Sequence, residues 1–574
     1  MTTESTPDAP ASDADAPPRW AWLVALAMVP YLVAAATAVF STWAPASDEA
    51  VFLARALDAP TDLPLVGVHS RFGWYHPGPV LHWWFSGPLW VSGGATVVAL
   101  LAAIALKACA AAGAVWLAGR QAGFVGAALA TGTATLLMFT QPDGPFAVWN
   151  PTIVIVVLFC CLVACWAVAN GDVWGVPVLA AAGSVCIQAH VGYAPVVLLA
   201  AATAALPVAW RTLRNHRRSL RPSRSSITAL AAAAAILVIL WAPVIWDQVG
   251  GSGNLGAVGS FLAGNDDPPV GAGSALGLLA RAYLPSGPWA GGPDPTLVWG
   301  DALAMPAWWL VVPATALGWS AWSAQRRGDR AALRLALIAG VAAAGATLAL
   351  AAIRDTPFPY LFSWSRSVSG FIWFTVALAT WRAVTATDRA SPAALRKAAG
   401  AIALILVVVG SVRIPSIEPP RAMSSEMVRS LTPAALEAAP AGSTVAMVIT
   451  LSEAFSGVAD GVLYELDRND RTVVVPGEPG RGPAWSFRSG DATDVDVVLA
   501  VVVGATIAEW DSDPVWEAIA RYEPLDPTQM AELVTLRNET DPTDATVERI
   551  RALNAIGEPA VLYRATDPAL TGGY

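Results

Sequence analysis

Eleven stretches of this chain stay apolar for about as long as a bilayer is thick, and that settles which solvent most of it folds in. Crossing roughly 30 Å of hydrocarbon takes about 20 apolar residues in a helix. The runs lie at about 20–42, 94–119, 122–139, 151–169, 174–189, 192–209, 227–247, 302–323, 331–352, 362–381 and 398–414. Lipid offers no partner to a peptide group, so each run is expected to be helical, with Pro195 and Pro243 kinking theirs. Only 13% of the residues are charged, against about 25% in an ordinary soluble domain, and mean hydropathy is +0.52. The expectation is a mainly α membrane protein, a polytopic bundle of about eleven spans.

The basic residues orient it. RTLRNHRRSLRPSR (211–224), RRGDR (326–330) and the stretch from Arg382 to Lys397 follow the sixth, eighth and tenth spans. By the positive-inside rule all three are cytoplasmic. The opposite, extracytoplasmic face then receives loop 43–93, loop 140–150, the turn at His190, loop 248–301, loop 353–361 and everything after the last span. Residues 1–18, rich in Ala, Pro, Asp, Ser and Thr, read as a disordered cytoplasmic arm. Ala44-Pro45-Ala46 looks like a cleavage site, but the apolar run before it is too long for a signal peptide and lacks a basic start. The segment 79–91, aromatic and broken by proline, reads as an interfacial helix.

The transmembrane domain is expected over 19–414 and a soluble α/β domain over 415–574. VAMVIT, TVVVP and VDVVLAVVV read as strands, alternating with helical patterns at 422–438, 453–468 and 528–537. From Arg421 onward there are 11 Arg, no Lys and 24 acidic residues. Such an acidic domain excludes nucleic acid as a partner. All five cysteines lie in apolar segments, so the soluble domain holds no disulfide, and no Cys–His spacing suggests zinc.

The first external loop carries the densest chemistry. In STWAPASDEAVFLARAL, Asp48 and Glu49 precede a helical pattern. Packing over such a pair raises the pKa of one member and suits it to general-base work; alternatively, the acids simply favour a helix N-terminus. HSRFGWYHPGPVLHWW then brings His69, Arg71, Trp74, His76 and His82 within fourteen residues. Arg binds phosphate, His donates or accepts, and Trp stacks on a sugar face; an aromatic belt at the headgroups is the plainer alternative. Asp143 and Asn150 in QPDGPFAVWNP, His190 in IQAHVGYAP, and Arg354 and Arg366 stand at the same face. Each is a candidate for lining a substrate cavity, with Arg354 alternatively a neighbour pair with Asp355.

Other patterns carry less. Gly251-Ser252-Gly253-Asn254-Leu255-Gly256 spells GxGxxG but follows a membrane helix, not a strand, and so is no dinucleotide site. Loop 248–301, rich in Gly and Pro and holding Trp289 and Trp299, has the length of a binding loop. The triplets Asp494–Asp496 and Asp511–Asp513 fit chance in an acidic domain. Walker A, HExxH and Trp-Trp-Asp-Tyr-Gly motifs are absent.

The acidic pair just after the first span, the Ala-Arg-Ala-Leu helix and the turn His76-Pro77-Gly78-Pro79 leading into an aromatic helix resemble the GT-C integral membrane glycosyltransferases, in the branch of protein O-mannosyltransferases and aminoarabinose transferases. In that branch the turn is of Lys-Pro-Pro-Leu type, so His76 stands where Lys would and Gly78 where Pro would. The resemblance implies a bundle with a small soluble extracytoplasmic domain in the plasma (inner) membrane. It implies an inverting transferase that moves a sugar from a polyprenyl-phosphate donor to a glycan, lipid or protein acceptor of the envelope. Asp48 would be the catalytic base and Glu49 its neighbour, orienting it or helping to hold a divalent metal; no cofactor is otherwise implied. Two readings compete: a flippase for lipid-linked saccharide, which needs ionisable residues at mid-membrane where Lys107 is the main example, and a non-catalytic envelope-assembly scaffold.

Overall fold

A computed structural model of the chain describes residues 20–215, 223–264, 267–292, 305–386, 391–449, 456–475, 484–488, 495–537, 539 and 543–567. The arm at 1–18, Trp299 and Asp494 lie outside the described residues. Every one of the eleven apolar runs contains helix. Among the described residues, eight helical segments are long and apolar enough to cross a membrane: Trp22–Val39 (α1), Thr96–Thr140, Asn150–Asn170, Val191–Arg211, Arg224–Gly250, Arg330–Ala351, Pro359–Thr385 and Pro392–Ser416. Thr96–Thr140 combines two of the expected runs. Its backbone leaves the helical region at Ala122 and Gly123 (φ −139° and 60°), and the chain turns so tightly that a Cβ on Gly126 would meet the Ala118 carbonyl at 2.5 Å. Gly175–Ala189 and Val311–Arg326 are shorter, at 15 and 16 residues.

One expectation is corrected. Pro195 kinks nothing: it lies in the first turn of Ala194–Asn215, where its missing N–H has no partner to lose, and the prolines inside these two helices are Pro207 and Pro243. The described part of loop 248–301 contains the helices Asn254–Gly264 and Gly271–Ala282, and Ser252, Phe261 and Leu262 from it line the larger cavity described below. Its GxGxxG stretch is a turn built on Asp247, whose carboxylate accepts from the Ser252 and Asn254 backbone N–H groups at 3.0 and 3.1 Å.

The bundle has two chemically distinct ends. Asn150–Asn170, wholly buried, begins beside loop 43–93 and ends where Arg334 donates to Asn170 (3.1 Å) and Arg211 to the Ala169 carbonyl (2.9 Å). At that same far end Arg120 pairs with Asp172 (2.7 Å) and Arg382 with Asp329 (2.8 Å). The basic connections thus gather at the end opposite the first loop.

After the last span the described residues form a five-stranded sheet of order β2-β1-β3-β5-β4. β1 (Thr444–Ile449), β2 (Thr472–Val474) and β3 (Val497–Val503) pair in parallel; β5 (Ala560–Ala565) and β4 (Trp516–Tyr522) add antiparallel. The helices Ala422–Ala438 and Val458–Asp467 lie between this sheet and the bundle, their apolar faces continuous with the membrane core. The seam is hydrogen-bonded: Trp43 Nε1 donates to the Pro420 carbonyl (2.9 Å), Ser425 Oγ accepts from Ala44 N–H (2.8 Å), and Tyr464 OH donates to the Gly94 carbonyl (2.8 Å).

Candidate active site

The first external loop folds into helix α2 (Ser47–Asp58), a short hairpin and helix α3 (Val80–Val91). Asp48 and Glu49 occupy the first turn of α2, where the helix dipole favours carboxylates. No side chain caps this helix; Ala46 precedes it, so neither Ser47 nor Asp48 is the cap. Neighbours on a helix point about 100° apart. Asp48 consequently opens into a cavity of about 920 Å³, whereas Glu49 is 2% exposed and borders a separate chamber of about 260 Å³.

Trp149 and Tyr360 stand between the two spaces, rings 4.7 Å apart. The indole N–H of Trp149 donates to Asp48 Oδ2 at 3.1 Å. Glu49 pairs with Arg421 at 2.9 Å. Burial pushes the Glu49 carboxyl up to about 7, against the pull of Arg421 and helped by repulsion from Asp48. The smaller chamber is also lined by Asp143 and Arg366. Burial raises Asp143 above the usual carboxylate range, opposed by Lys107 and Arg421. Arg366 donates to the carbonyls of Pro288 (3.0 Å) and Thr140.

The hairpin gathers the histidines. Gly67 N–H donates to the His76 carbonyl and His76 N–H to that of Val68, both at 2.9 Å, while Ser70 N–H donates to the Trp74 carbonyl at 2.7 Å. Gly73 takes the turn with φ +83°, a conformation that favours glycine. Asn254 clamps the hairpin from outside, accepting from Tyr75 N–H and donating to its carbonyl, both at 2.8 Å. The His76 ring then lies 4.5 Å from that of His190, the two tilted by 39°. Their Nδ1 atoms accept from the backbone N–H groups of Val191 (3.3 Å) and Gly192 (3.2 Å), which leaves the proton of each neutral ring on Nε2. Burial pushes His190 down to about 4 and His76 well below the ordinary range, the latter also through its histidine neighbours. Burial lowers His69 as well, opposed by Asp48.

Of the residues expected at the site, Asp48, His69, Arg71, Trp74, His76, Asn150, His190 and Arg354 line the larger cavity. Glu49, Asp143 and Arg366 line the smaller one. The Arg354–Asp355 neighbour pair does not form. Arg354 donates to the Asp267 carbonyl (2.8 Å), and Asp355 lies 3.6 Å from Arg71, whose guanidinium rests over Phe72 and Phe358. Asn150 donates to the Ala189 carbonyl (2.8 Å) and so also holds the His190 turn. Tyr360, Arg421, Arg55, Asp62 and Phe487 escaped the sequence reading. Arg55 had a signal, lying seven residues after Asp48 on the same helical face; Arg421 and Phe487 reach the site only through the tertiary fold.

Arg421 engages Glu49 through Oε2, and among the described residues no group of three His, Cys, Asp or Glu side chains is found. Lys107, fully buried in its span, donates to the Pro145 and Ala147 carbonyls at 2.8 and 2.6 Å. It pins the loop that presents Trp149.

No protein-family profile and no curated protein matches this sequence. Solved structures do match. ArnT from Cupriavidus metallidurans bound to undecaprenyl phosphate is similar with a TM-score of 0.52 and 13% identity, covering 88% of this chain and 96% of ArnT. ArnT in the apo state gives 0.50 and 13%, covering 87% and 96%. With its apolar helices and acidic first loop arranged in this way, the chain is an integral multi-pass membrane protein with a fold like that of ArnT.

Proposed function

We propose that the protein transfers a glycosyl group from a polyprenyl-phosphate donor to a cell-envelope acceptor on the extracytoplasmic face. The observation that carries this reading is the setting of Asp48: an exposed carboxylate at the wall of a 920 Å³ cavity with apolar lining at Pro195, Phe261, Leu262, Ala349 and Ile353 and basic groups at Arg71 and Arg354. An apolar wall suits a prenyl chain, and guanidinium groups suit its phosphate. The similar fold of ArnT bound to undecaprenyl phosphate supports the same donor class.

In this reading Asp48 takes the proton of the acceptor hydroxyl as that oxygen attacks the anomeric carbon. The bond from that carbon to the phosphate oxygen breaks with inversion, and polyprenyl phosphate leaves. Arg71 and Arg354 offset the charge that builds on the leaving phosphate. His69, His76 and His190, held neutral by burial, serve as hydrogen-bond donors or acceptors without adding charge. Trp149 holds Asp48 in place. Glu49, paired with Arg421, fixes the start of α2 and so orients Asp48.

Incubating purified protein with radiolabelled polyprenyl-phosphate sugars and envelope acceptors tests the proposal. Wild type is expected to transfer label, and Asp48→Asn to lose about 10²–10⁴-fold in rate, the contribution of a positioned base, while keeping its expression and monodispersity. Full activity in Asp48→Asn overturns the assignment. The flippase reading needs ionisable residues at mid-membrane, and Lys107, the main exception in spans nearly free of charge, is tied to two carbonyls.

A further inference from the structure

The larger cavity has two unlike ends. Toward the bundle it is walled by Pro195, Phe261, Ala349 and Ile353; toward the soluble domain it is walled by Arg55, Asp62, Ser486 and Phe487. The second group is assembled from two distant parts of the chain. Arg55 lies on α2 seven residues beyond Asp48, on the same face as Asp48 and Phe52, and donates to Asp62 at 2.6 Å. Its guanidinium sits 5.4 Å from the Phe487 ring. Phe487, half-buried, stacks on fully buried Trp485 at 5.4 Å, and Ser486 Oγ meets Tyr75 OH at 2.7 Å.

A prenyl chain gains nothing at this end, where a guanidinium, a carboxylate and two hydroxyls would have to be desolvated against it. A hydroxyl-rich ligand gains at each of them: an aromatic face for its C–H groups, and alternating donors and acceptors around the ring edge. Seven residues of helix separate Arg55 from Asp48, about 10 Å at 1.5 Å per residue. That is enough for roughly two sugar rings between the reacting hydroxyl and the rim.

We infer that Phe487, Ser486, Arg55 and Asp62 form an acceptor subsite for a saccharide, which enters from the soluble domain and presents its terminal hydroxyl to Asp48. This rests on the transferase reading and deepens it: the acceptor is a glycan rather than a purely lipid or peptide group, and the soluble domain takes part in selecting it.

Full-length protein in lipid nanodiscs tests this with two separate probes. Saturation-transfer NMR with a panel of soluble trisaccharides of mannose, galactose, arabinose and glucosamine reports the rim; undecaprenyl phosphate binding reports the lipid end. The expected result is transfer to at least one trisaccharide in wild type. Its affinity should fall about fivefold or more in Phe487→Ala and in Asp62→Ala, within the range of one lost aromatic or charge-assisted contact, while Phe487→Tyr restores binding. Undecaprenyl phosphate affinity should stay within about twofold throughout. Trisaccharide binding that ignores Phe487→Ala and Asp62→Ala, or no trisaccharide binding to wild type, overturns the subsite. So does an equal loss of undecaprenyl phosphate in Phe487→Ala, since the rim would then belong to the lipid. Saccharide binding that depends on Phe487 but comes with no undecaprenyl phosphate binding upholds the subsite and sinks the donor assignment instead.

Discussion

On a helix, consecutive side chains point about 100° apart, and that angle gives the two adjacent carboxylates of α2 different solvents. Asp48 faces open cavity, while Glu49 lies among protein atoms with Arg421. The buried member carries the pH dependence. Its folded pKa of about 7 lies above its ordinary 4.5, so between these values the native state binds a proton that the unfolded chain does not. The stability this confers is full below pH 4.5 and is lost as pH rises through 7. Thermal unfolding in nanodiscs should therefore show stability declining across pH 4.5 to 7, and Glu49→Gln should flatten that slope. Arg421→Gln should cost roughly 2–4 kcal/mol at neutral pH, because it leaves a buried carboxylate without its cation, and Glu49→Gln combined with Arg421→Gln should recover part of that loss. Additive losses in the double variant would show that the two residues do not act as a pair. Sequence could present Asp48 and Glu49 as a pair near a membrane surface, but which of them is buried depends on Arg421, more than 370 positions away.

At the scale of elements, the start of α2 is pressed against the start of the helix Val458–Asp467. Ser47, just before Asp48, adopts φ 53°, a conformation that costs a non-glycine residue about 1 kcal/mol or more. It is held there by donating its N–H to the Gly457 carbonyl at 2.8 Å. Gly457, itself at φ +65°, has no room for a side chain: a Cβ would lie 2.2 Å from that of Ser47. Gly457→Ala should therefore shift the start of α2. The expected outcome is a fall in the transfer rate with undecaprenyl phosphate affinity nearly unchanged, measured on protein that remains monodisperse; parallel loss of both would mean that the variant has simply unfolded. The helices themselves were legible in the sequence because apolar length is a strong signal, as were α2, α3 and the first three strands. β4 and β5 were not: WEAIARY is an edge strand whose charged residues hide its alternation, and the apolar run of AVLYRA is broken by exposed Arg564. The helices in loop 248–301 were masked by Gly and Pro at their ends.

Across the whole molecule, charge is sorted by end. The spans Asn150–Asn170, Val191–Arg211, Arg330–Ala351 and Pro359–Thr385 each run between the cavity and the cluster of Arg120, Arg211, Arg334 and Arg382. The soluble domain, net acidic, shares the cavity end. Translocating basic loops is disfavoured, so the arginine cluster is expected in the cytoplasm and the cavity with its acidic roof in the envelope. A polyprenyl-phosphate donor and an envelope glycan meet only on that side, which makes sidedness the premise on which the transferase reading stands. Two introduced cysteines test it in intact cells with a membrane-impermeant maleimide, because four of the five native cysteines are buried and the fifth, Cys109, lies within a membrane span. Thr528→Cys, on the exposed surface of the soluble domain, should label without permeabilisation, whereas Gln325→Cys, at the basic end, should label only after the membrane is opened. The reverse pattern would place Asp48 in the cytoplasm, facing no envelope acceptor, and the proposed function would fall with it.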